Sequence, residues 1–515
     1  MRVLFVMRHE GFARNFESTL SLLAERGHEV HLAFDGPFAH ARADGRPGIV
    51  ERLASERPGT VTFGPAPRRT DEAWPGLGVR LRLAADDLRY LSPRYAEATK
   101  LRARAAEHAG PLARAMGRLA GRRAGGPAAL VGLLRRLDAC LPVSRSASAF
   151  VRERRPDVLL VTPLVELGEP QTDFLRAAKG LGVPTGLCVA SWDNLTNKGS
   201  VPEPPDLVTV WNEAQRREAV ELQGVPPERV VATGAQAYDH WFDWAPSSER
   251  SGFAARAGLP DERPFVLYLC SSRFIAPDEA AFVRGWLAAL RGRPEPALRE
   301  AAVLVRPHPQ HAGQWRAADL SGLGPVSVWP PGGADPTDAG SRRDYFDSIH
   351  HCSAVVGVNT SALIESAIVG RPVFTYLAPE FRETQRGTLH FAHLADGGPL
   401  RVAESFEEHA AQLALVLAEP ARAHPSAEAF LRSFVRPHGL ASAATPRLVA
   451  ALEGLAPTSP GPRRPPAASR QVRVALAPLA GLAWVDSAAR RLARRVLALP
   501  ALRGPMRRLG VECAE

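Results

Sequence analysis

The feature that most constrains this chain is a repeated alternation. A short apolar run gives way to a polar loop, then to apolar residues at helical spacing, then to another apolar run. "MRVLFVMRHEGFARNFESTLSLLAERGHEVHLAF" shows it at the start. Val3 to Val6 suits a buried strand, Phe16, Leu20, Leu23 and Ala24 fall on one helical face, and Gly27 closes that helix before the next run. The same kind of run recurs in "PDVLLVTPL", "GVPTGLCVASW", "PDLVTVWN" and "RVVATGAQ", separated by helical patterns such as "NEAQRREAVELQG". Strands alternating with helices imply right-handed βαβ units and a parallel sheet covered on both faces.

The pattern breaks near "DWAPSSERSGFAARAGLP" and a second series starts at "PFVLYLCSSRF", continuing through "AVLVRPHP", "VSVWPP", "SAVVGVNTS", "PVFTYL" and "LRVAES". With 515 residues the chain exceeds what one core supports, so two doubly wound α/β domains are expected. The spacing places an N-terminal Rossmann-like domain at 1–245 with a basic helical insertion at about 80–150, and a C-terminal Rossmann-like domain at 246–402. Helices packing back on the domains follow at 403–455, then a Pro-rich linker at 456–470 and a basic amphipathic tail at 471–515.

Composition narrows the class. The five cysteines are scattered without metal-ligand spacing, which points to a reducing, cytoplasmic compartment and to no structural zinc or disulfide framework. No secretory signal is visible at the start, and no charge-free apolar run is long enough to cross a bilayer. The net charge of +10 is segregated. Arg80 to Arg145 holds fourteen Lys/Arg against five Asp/Glu, and Arg463 to Glu515 holds eleven Arg against three acids. Two basic segments on an otherwise acidic chain call for an anionic partner. With no nucleic-acid motif present, an anionic membrane surface is the expected one and nucleic acid is not.

The chemistry concentrates in the second domain. In "SAVVGVNTSALIESAIVGRPVFTY" a strand runs into Asn359, Thr360 and Ser361 and then into a helix carrying Glu365. The simplest reading is capping, since Ser, Thr and Asn accept from free helix N–H groups. Two other loops leave strands at the same edge, however: "CSSRF" with Ser271, Ser272 and Arg273, and "VRPHPQH" with Arg306 and His308. Hydroxyls, a guanidinium and an imidazole at one rim suit a diphosphate.

The order of two βαβ halves, "RPHP" and then "NTSALIESAIVGRPVFTY" resembles the GT-B glycosyltransferase superfamily. It is most similar to bacterial surface-polysaccharide enzymes with a His-Pro motif: capsule Kdo transferases, polysialyltransferases and CDP-glycerol glycerophosphotransferases. The resemblance covers Met1 to about Leu455, with its specific motifs between Phe265 and Pro379. It implies two Rossmann-like domains facing across a cleft, and His308, Ser361 and Glu365 as the holders of the donor's nucleotide. The run "GVNTS" stands where glycerophosphotransferases carry a "DYSS"-like run, which weakens a glycerol-phosphate donor in particular.

The first domain is then expected to hold the acceptor and a base. His9, Glu166 in "TPLVELGEP" and Asp193 in "ASWDNLTNKG" follow strands at the cleft edge, and any of them could take a proton from an acceptor hydroxyl. Capping and turn roles remain the alternative for each. Asp86 and Asp87 sit in an Arg-rich helical segment and read as a solvated face, while His350 and His351 are adjacent on a helix and do not read as a metal pair. No dinucleotide or P-loop fingerprint is present in a strand-to-helix context. The expectation is a metal-independent transferase with no cofactor, using a nucleotide-sugar donor as substrate and a cell-surface glycan or lipid-linked acceptor, and sited in the cytoplasm with a peripheral seat on the inner face of the membrane. The alternatives are a CDP-glycerol glycerophosphotransferase-like transferase, a UDP-N-acetylglucosamine 2-epimerase-like isomerase, and a non-catalytic nucleotide-sugar-binding protein.

Overall fold

The computed structural model describes residues 1–36, 48–69, 71–120, 125–261, 263–419, 427–458 and 460–497. Seven parallel strands form the first sheet: β1 (Arg2–Met7), β2 (Glu29–Phe34), β3 (Val61–Pro65), β4 (Val158–Thr162), β5 (Thr185–Cys188), β6 (Leu207–Val210) and β7 (Val230–Ala232). Six form the second: β8 (Phe265–Leu269), β9 (Ala302–Arg306), β10 (Val326–Val328), β11 (Ala354–Gly357), β12 (Val373–Tyr376) and β13 (Leu400–Ala403). The orders are β3-β2-β1-β4-β5-β6-β7 and β10-β9-β8-β11-β12-β13. Each sheet therefore reverses direction once, between β1 and β4 and between β8 and β11. These are the two places where loops splay apart and leave a crevice at the strands' carboxyl ends. The architecture is α/β, with two doubly wound parallel sheets.

The central strands are apolar throughout because helices cover both faces. Val3, Phe5 and Met7 face one core and Leu4 and Val6 the other, as the period-two alternation of a strand requires. β3 escaped the sequence reading for a physical reason. It is an edge strand with only Val61 fully buried, and it ends in Gly64 and Pro65, so it lacks a continuous apolar run.

The chain crosses back at its end. Leu448, Val449, Leu452 and Leu455 of the helix Thr445–Leu455 lie in the core of the first domain against Val3, Phe5 and Leu32. Burying each leucine there contributes roughly 1.5–3 kcal/mol. Closure is completed by Arg14 pairing with Asp335 at 2.6 Å and by Glu17 pairing with Arg342, one partner from each domain.

Between β3 and β4 lie the helices Ala73–Arg89, Thr99–Ala120, Gly126–Ala139 and Arg145–Arg154, the second broken at Gly110, whose φ of 80° only glycine adopts cheaply. The expected solvated face at Asp86 and Asp87 is corrected here, since they are 1% and 5% exposed. Asp86 accepts from Gly168 N at 2.9 Å, Ser200 N at 2.8 Å and Ser200 Oγ at 2.7 Å, so the carboxylate staples two loops that leave the first sheet. Arg89 donates to the Gly199 carbonyl at 2.6 Å, Tyr90 to the Lys198 carbonyl at 2.7 Å and Arg104 to the Asn197 carbonyl at 2.6 Å. Part of the insertion's positive charge thus serves loop carbonyls rather than an outside partner.

Within the expected linker, Arg463 is held to the first domain: its N–H donates to the Lys179 carbonyl at 2.9 Å and its guanidinium lies 3.6 Å from Glu203. The tail forms the helix Ser469–Leu497, docked on Ala73–Arg89 through Leu77, Leu476, Ala480 and Ala483. Residues 498–515, with the expected amphipathic position Leu499, and the side chains of 492–497 lie outside the described residues.

Asp86→Ala would leave two N–H groups and a hydroxyl without a partner. It is expected to lower the unfolding free energy by on the order of 3 kcal/mol, read from denaturant midpoints, with Asp87→Ala costing less.

Candidate functional site

The two crevices face each other and enclose a cavity of about 370 Å³ lined from both domains. Its second-domain wall begins where β9 ends. Arg306 lines the cavity, is 5% exposed, and donates from Nη1 to Ser348 Oγ at 3.1 Å. Its other neighbours are aromatic faces, Tyr345 at 4.8 Å and Trp329 at 5.7 Å from the guanidinium carbon. Nη2 is buried with no hydrogen-bond partner, and among the described residues no carboxylate pairs with it. Burial, only partly offset by Tyr345, Asp344 and Glu365, pulls its pKa down to about 10. A guanidinium in this condition is stabilised by any anion that reaches it.

His308 stands two residues on. Its Nδ1 accepts from Gln310 N at 3.2 Å, so the neutral ring carries its proton on Nε2 and offers a donor. Burial and then the charge of Arg14 hold its pKa below the ordinary value, so the ring is neutral near pH 7. Glu365 completes the wall. Tyr345 Oη donates to it, and burial pushes its pKa up to about 7 despite that bond. Thr360 and Ser361 line the cavity ahead of the seven-residue helix Ala362–Ile368. Ser361 makes no side-chain cap, and the only hydroxyl contact is a long one, Ala362 N to Thr360 Oγ1 at 3.4 Å. The capping alternative therefore leaves the Ser361 hydroxyl unspent.

Four expected donor residues are not brought to the cavity. Ser271 is buried behind it and gives its N–H to Glu279 at 2.9 Å. The loop then turns away through Ile275 N and Ala276 N bonding the Ser272 carbonyl, which leaves Ser272 off the wall and Arg273 exposed. Asn359 is 4% exposed and donates to the Thr384 carbonyl at 2.6 Å, a loop-bracing role. Strand ends alone located the right edge, but the side chains' directions depended on local partners.

On the first-domain wall, Asp193 lines the cavity and accepts from Asn197 Nδ2 at 2.8 Å. Burial pushes its carboxyl upward, but Lys198 and the neighbouring donors outweigh that and hold it below the usual aspartate range. Lys198, also in the wall, binds Glu166 at 3.0 Å, which spends that carboxylate on an ion pair set back from the cavity. His9 sits outside the wall with its ring 4.7 Å from Phe12, and partial desolvation followed by the charge of Lys198 lowers its pKa. Sequence reading missed Arg14, Lys198 and the aromatic lining of Trp211, Tyr238, Trp241 and Trp244. Arg14 and Lys198 lie within the same loops as His9 and Asp193, so a search of those loops for cations was the available signal.

No family model and no curated protein matches the chain. Among solved structures it is similar to the UDP-GlcNAc 2-epimerase from Neisseria meningitidis bound to UDP-GlcNAc, with a TM-score of 0.48 and 10% identity over 88% of this chain and 100% of that one. A glycosyltransferase from Rickettsia africae gives 0.47 and 9% over 89% and 99%. The calicheamicin glycosyltransferase CalG4 gives 0.44 and 13% over 88% and 98%. None of these similarities assigns an activity to this chain.

Behind the cavity His390, 3% exposed, touches both domains: its Nδ1 lies 3.3 Å from Thr196 Oγ1 and Nε2 accepts from Asn359 Nδ2 at 3.4 Å. Burial pulls its pKa down to about 4. Between pH 6.5 and 4 the unfolded chain therefore binds a proton that the native one refuses, so stability rises with pH there and is lost as pH falls from 6.5. The slope from this one group is at most about 1.4 kcal/mol per pH unit. Urea unfolding across that window should show a shallower pH dependence for His390→Gln than for the wild type.

Proposed function

We propose that the chain is a glycosyltransferase that moves a sugar from a nucleotide-activated donor to a cell-surface glycan or lipid-linked acceptor. The observation that carries this is the buried, carboxylate-free guanidinium of Arg306 beside the Nε2–H of His308 in an interdomain cavity. A diphosphate satisfies both at once. It supplies the anion that Arg306 lacks and the acceptor that His308 needs, and both contacts strengthen as negative charge builds on the departing phosphate oxygen. Ser361 adds a hydroxyl donor. Glu365, which already accepts from Tyr345, would accept from vicinal sugar hydroxyls of the nucleoside. The aromatic rings of Trp211, Tyr238, Trp241 and Trp244 in the lining suit a ring-shaped acceptor or base.

Asp193 is the base in this reading. It alone of the three first-domain candidates lines the cavity, and its low pKa keeps it ionised at neutral pH. It takes the proton of the acceptor hydroxyl as the oxygen attacks the sugar carbon and the bond to the diphosphate breaks. Lys198 holds Glu166 and lies close enough to Asp193 to fix its charge state. Positioning of both substrates between closed domains supplies the remainder.

His308→Ala and Ser361→Ala are expected to weaken nucleotide binding or turnover with the fold intact, His308→Ala by on the order of a hundredfold in rate. Asp193→Asn should abolish transfer while nucleotide affinity is kept. The share of the acid loss that comes from Asp193 should set in only below the ordinary aspartate range. Steady-state kinetics with product analysis checks all three. Unchanged kinetics in the first two variants would remove the donor assignment, and conversion of the donor sugar without any acceptor would identify an isomerase instead.

A further inference from the structure

The helix Ser469–Leu497 uses its two faces differently. Toward the protein it sets Leu476, Ala480 and Ala483 against Leu77 and Leu141, Arg473 donates to the Cys140 carbonyl at 2.8 Å, and Asp486 pairs with Arg80. On the opposite side, at helical spacing, stand Val474, Pro478, Leu482 and Val485. Val474, Leu482 and Val485 are 73%, 65% and 57% exposed, and Leu479 and Trp484 flank them. Half of the large hydrophobic side chains exposed among the described residues lie on this one helix, which makes a patch rather than the usual scatter.

We propose that this helix lies in the interface of an anionic lipid bilayer, with Val474, Leu482 and Val485 at the acyl boundary and the exposed Arg464 and Arg470 at its entry among the headgroups. Charge selects the occupant. Arg463, Arg464 and Arg470 precede the apolar stretch and Arg490, Arg491, Arg494 and Arg495 follow it, within a segment of eleven Arg and three acids. A second copy of this chain on the same face would bring like charges together, whereas anionic headgroups neutralise them. The segment Ser469–Arg491 is long and apolar enough by composition to cross a membrane. Its docked face decides against crossing, because spanning would strip Arg473 and Asp486 from their partners and carry both into hydrocarbon. The helix it docks on, Ala73–Arg89, also carries Asp86 and Arg89, which hold the loop behind Asp193. Membrane seat and cavity wall are thus built on one element. This inference does not depend on the nature of the donor.

The full chain is tested by sedimentation at low salt with vesicles of phosphatidylglycerol and phosphatidylcholine and with phosphatidylcholine alone. The wild type is expected to sediment with the anionic vesicles only and to lose affinity at least about tenfold in about 1 M salt. The double variant Leu482→Glu/Val485→Glu, changed only at exposed positions and checked for an unaltered unfolding midpoint, is expected to bind at least about tenfold more weakly. Equal binding by the double variant overturns the proposal, as does failure of the wild type to sediment with anionic vesicles. A concentration-dependent dimer that the double variant dissolves, without lipid binding, would give the face to a second copy, and resistance to alkaline extraction would show a spanning helix.

Discussion

A cation almost wholly removed from water, with no carboxylate paired to it among the described residues, is the constraint around which the cleft is arranged. Arg306 ends a central strand of the second sheet, so its position is set by the core and not by a mobile loop. Moving such a charge from water is costly, and the chain offsets only part of that cost with one hydroxyl and two aromatic faces. Ser348 meanwhile gives its own proton to the Asp344 carbonyl at 2.6 Å, so nothing about Ser348 requires the arginine. Tyr345 ties the same spot to Glu365. The arrangement leaves Nη2 of Arg306 without a hydrogen-bond partner at one point in the cavity wall.

Everything opposite that point is held in place from several directions. The helix Thr445–Leu455 returns to the first core, while Arg14–Asp335 and Glu17–Arg342 bridge the mouth. The mouth pairs are partly solvated and individually worth little, so the buried return helix does more than they do to hold the two domains together. The loop carrying Asp193 and Lys198 is fastened from behind by Asp86, Arg89, Tyr90 and Arg104. The insertion also reaches the second domain, with Lys100 bonded to the Phe274 carbonyl and Arg104 stacked 4.6 Å over the Phe274 ring. One insertion therefore braces the first-domain wall of the cavity and also touches the second domain.

The strands were legible because both faces of each central strand are covered, which leaves unbroken apolar runs such as "FVLYL" and "AVLVR". β3, half exposed at an edge, left no such run. In the site, Arg306, His308, Ser361 and Glu365 could be read because they follow strands at the carboxyl edge of the switch point. Ser271, Arg273 and Asn359 follow strands equally well yet turn elsewhere, since Glu279 and the Thr384 carbonyl claim two of them. The burial of Asp86 could not be read at all, because its partners lie more than eighty residues away and nothing local distinguishes a stapling carboxylate from a solvated one.

The most direct measurement compares the unfolding of the wild type and Arg306→Met, alone and with a panel of nucleoside diphosphates. Without ligand the variant should unfold at the same midpoint or higher, because a costly buried charge is gone and its volume is kept. At a hundred times its dissociation constant a nucleoside diphosphate should add about 2.7 kcal/mol to the wild type and little to the variant. A variant that is strongly destabilised, yet is stabilised by the nucleotide as much as the wild type, would contradict the assignment of Arg306 as the anion's seat and with it the reading of the cleft.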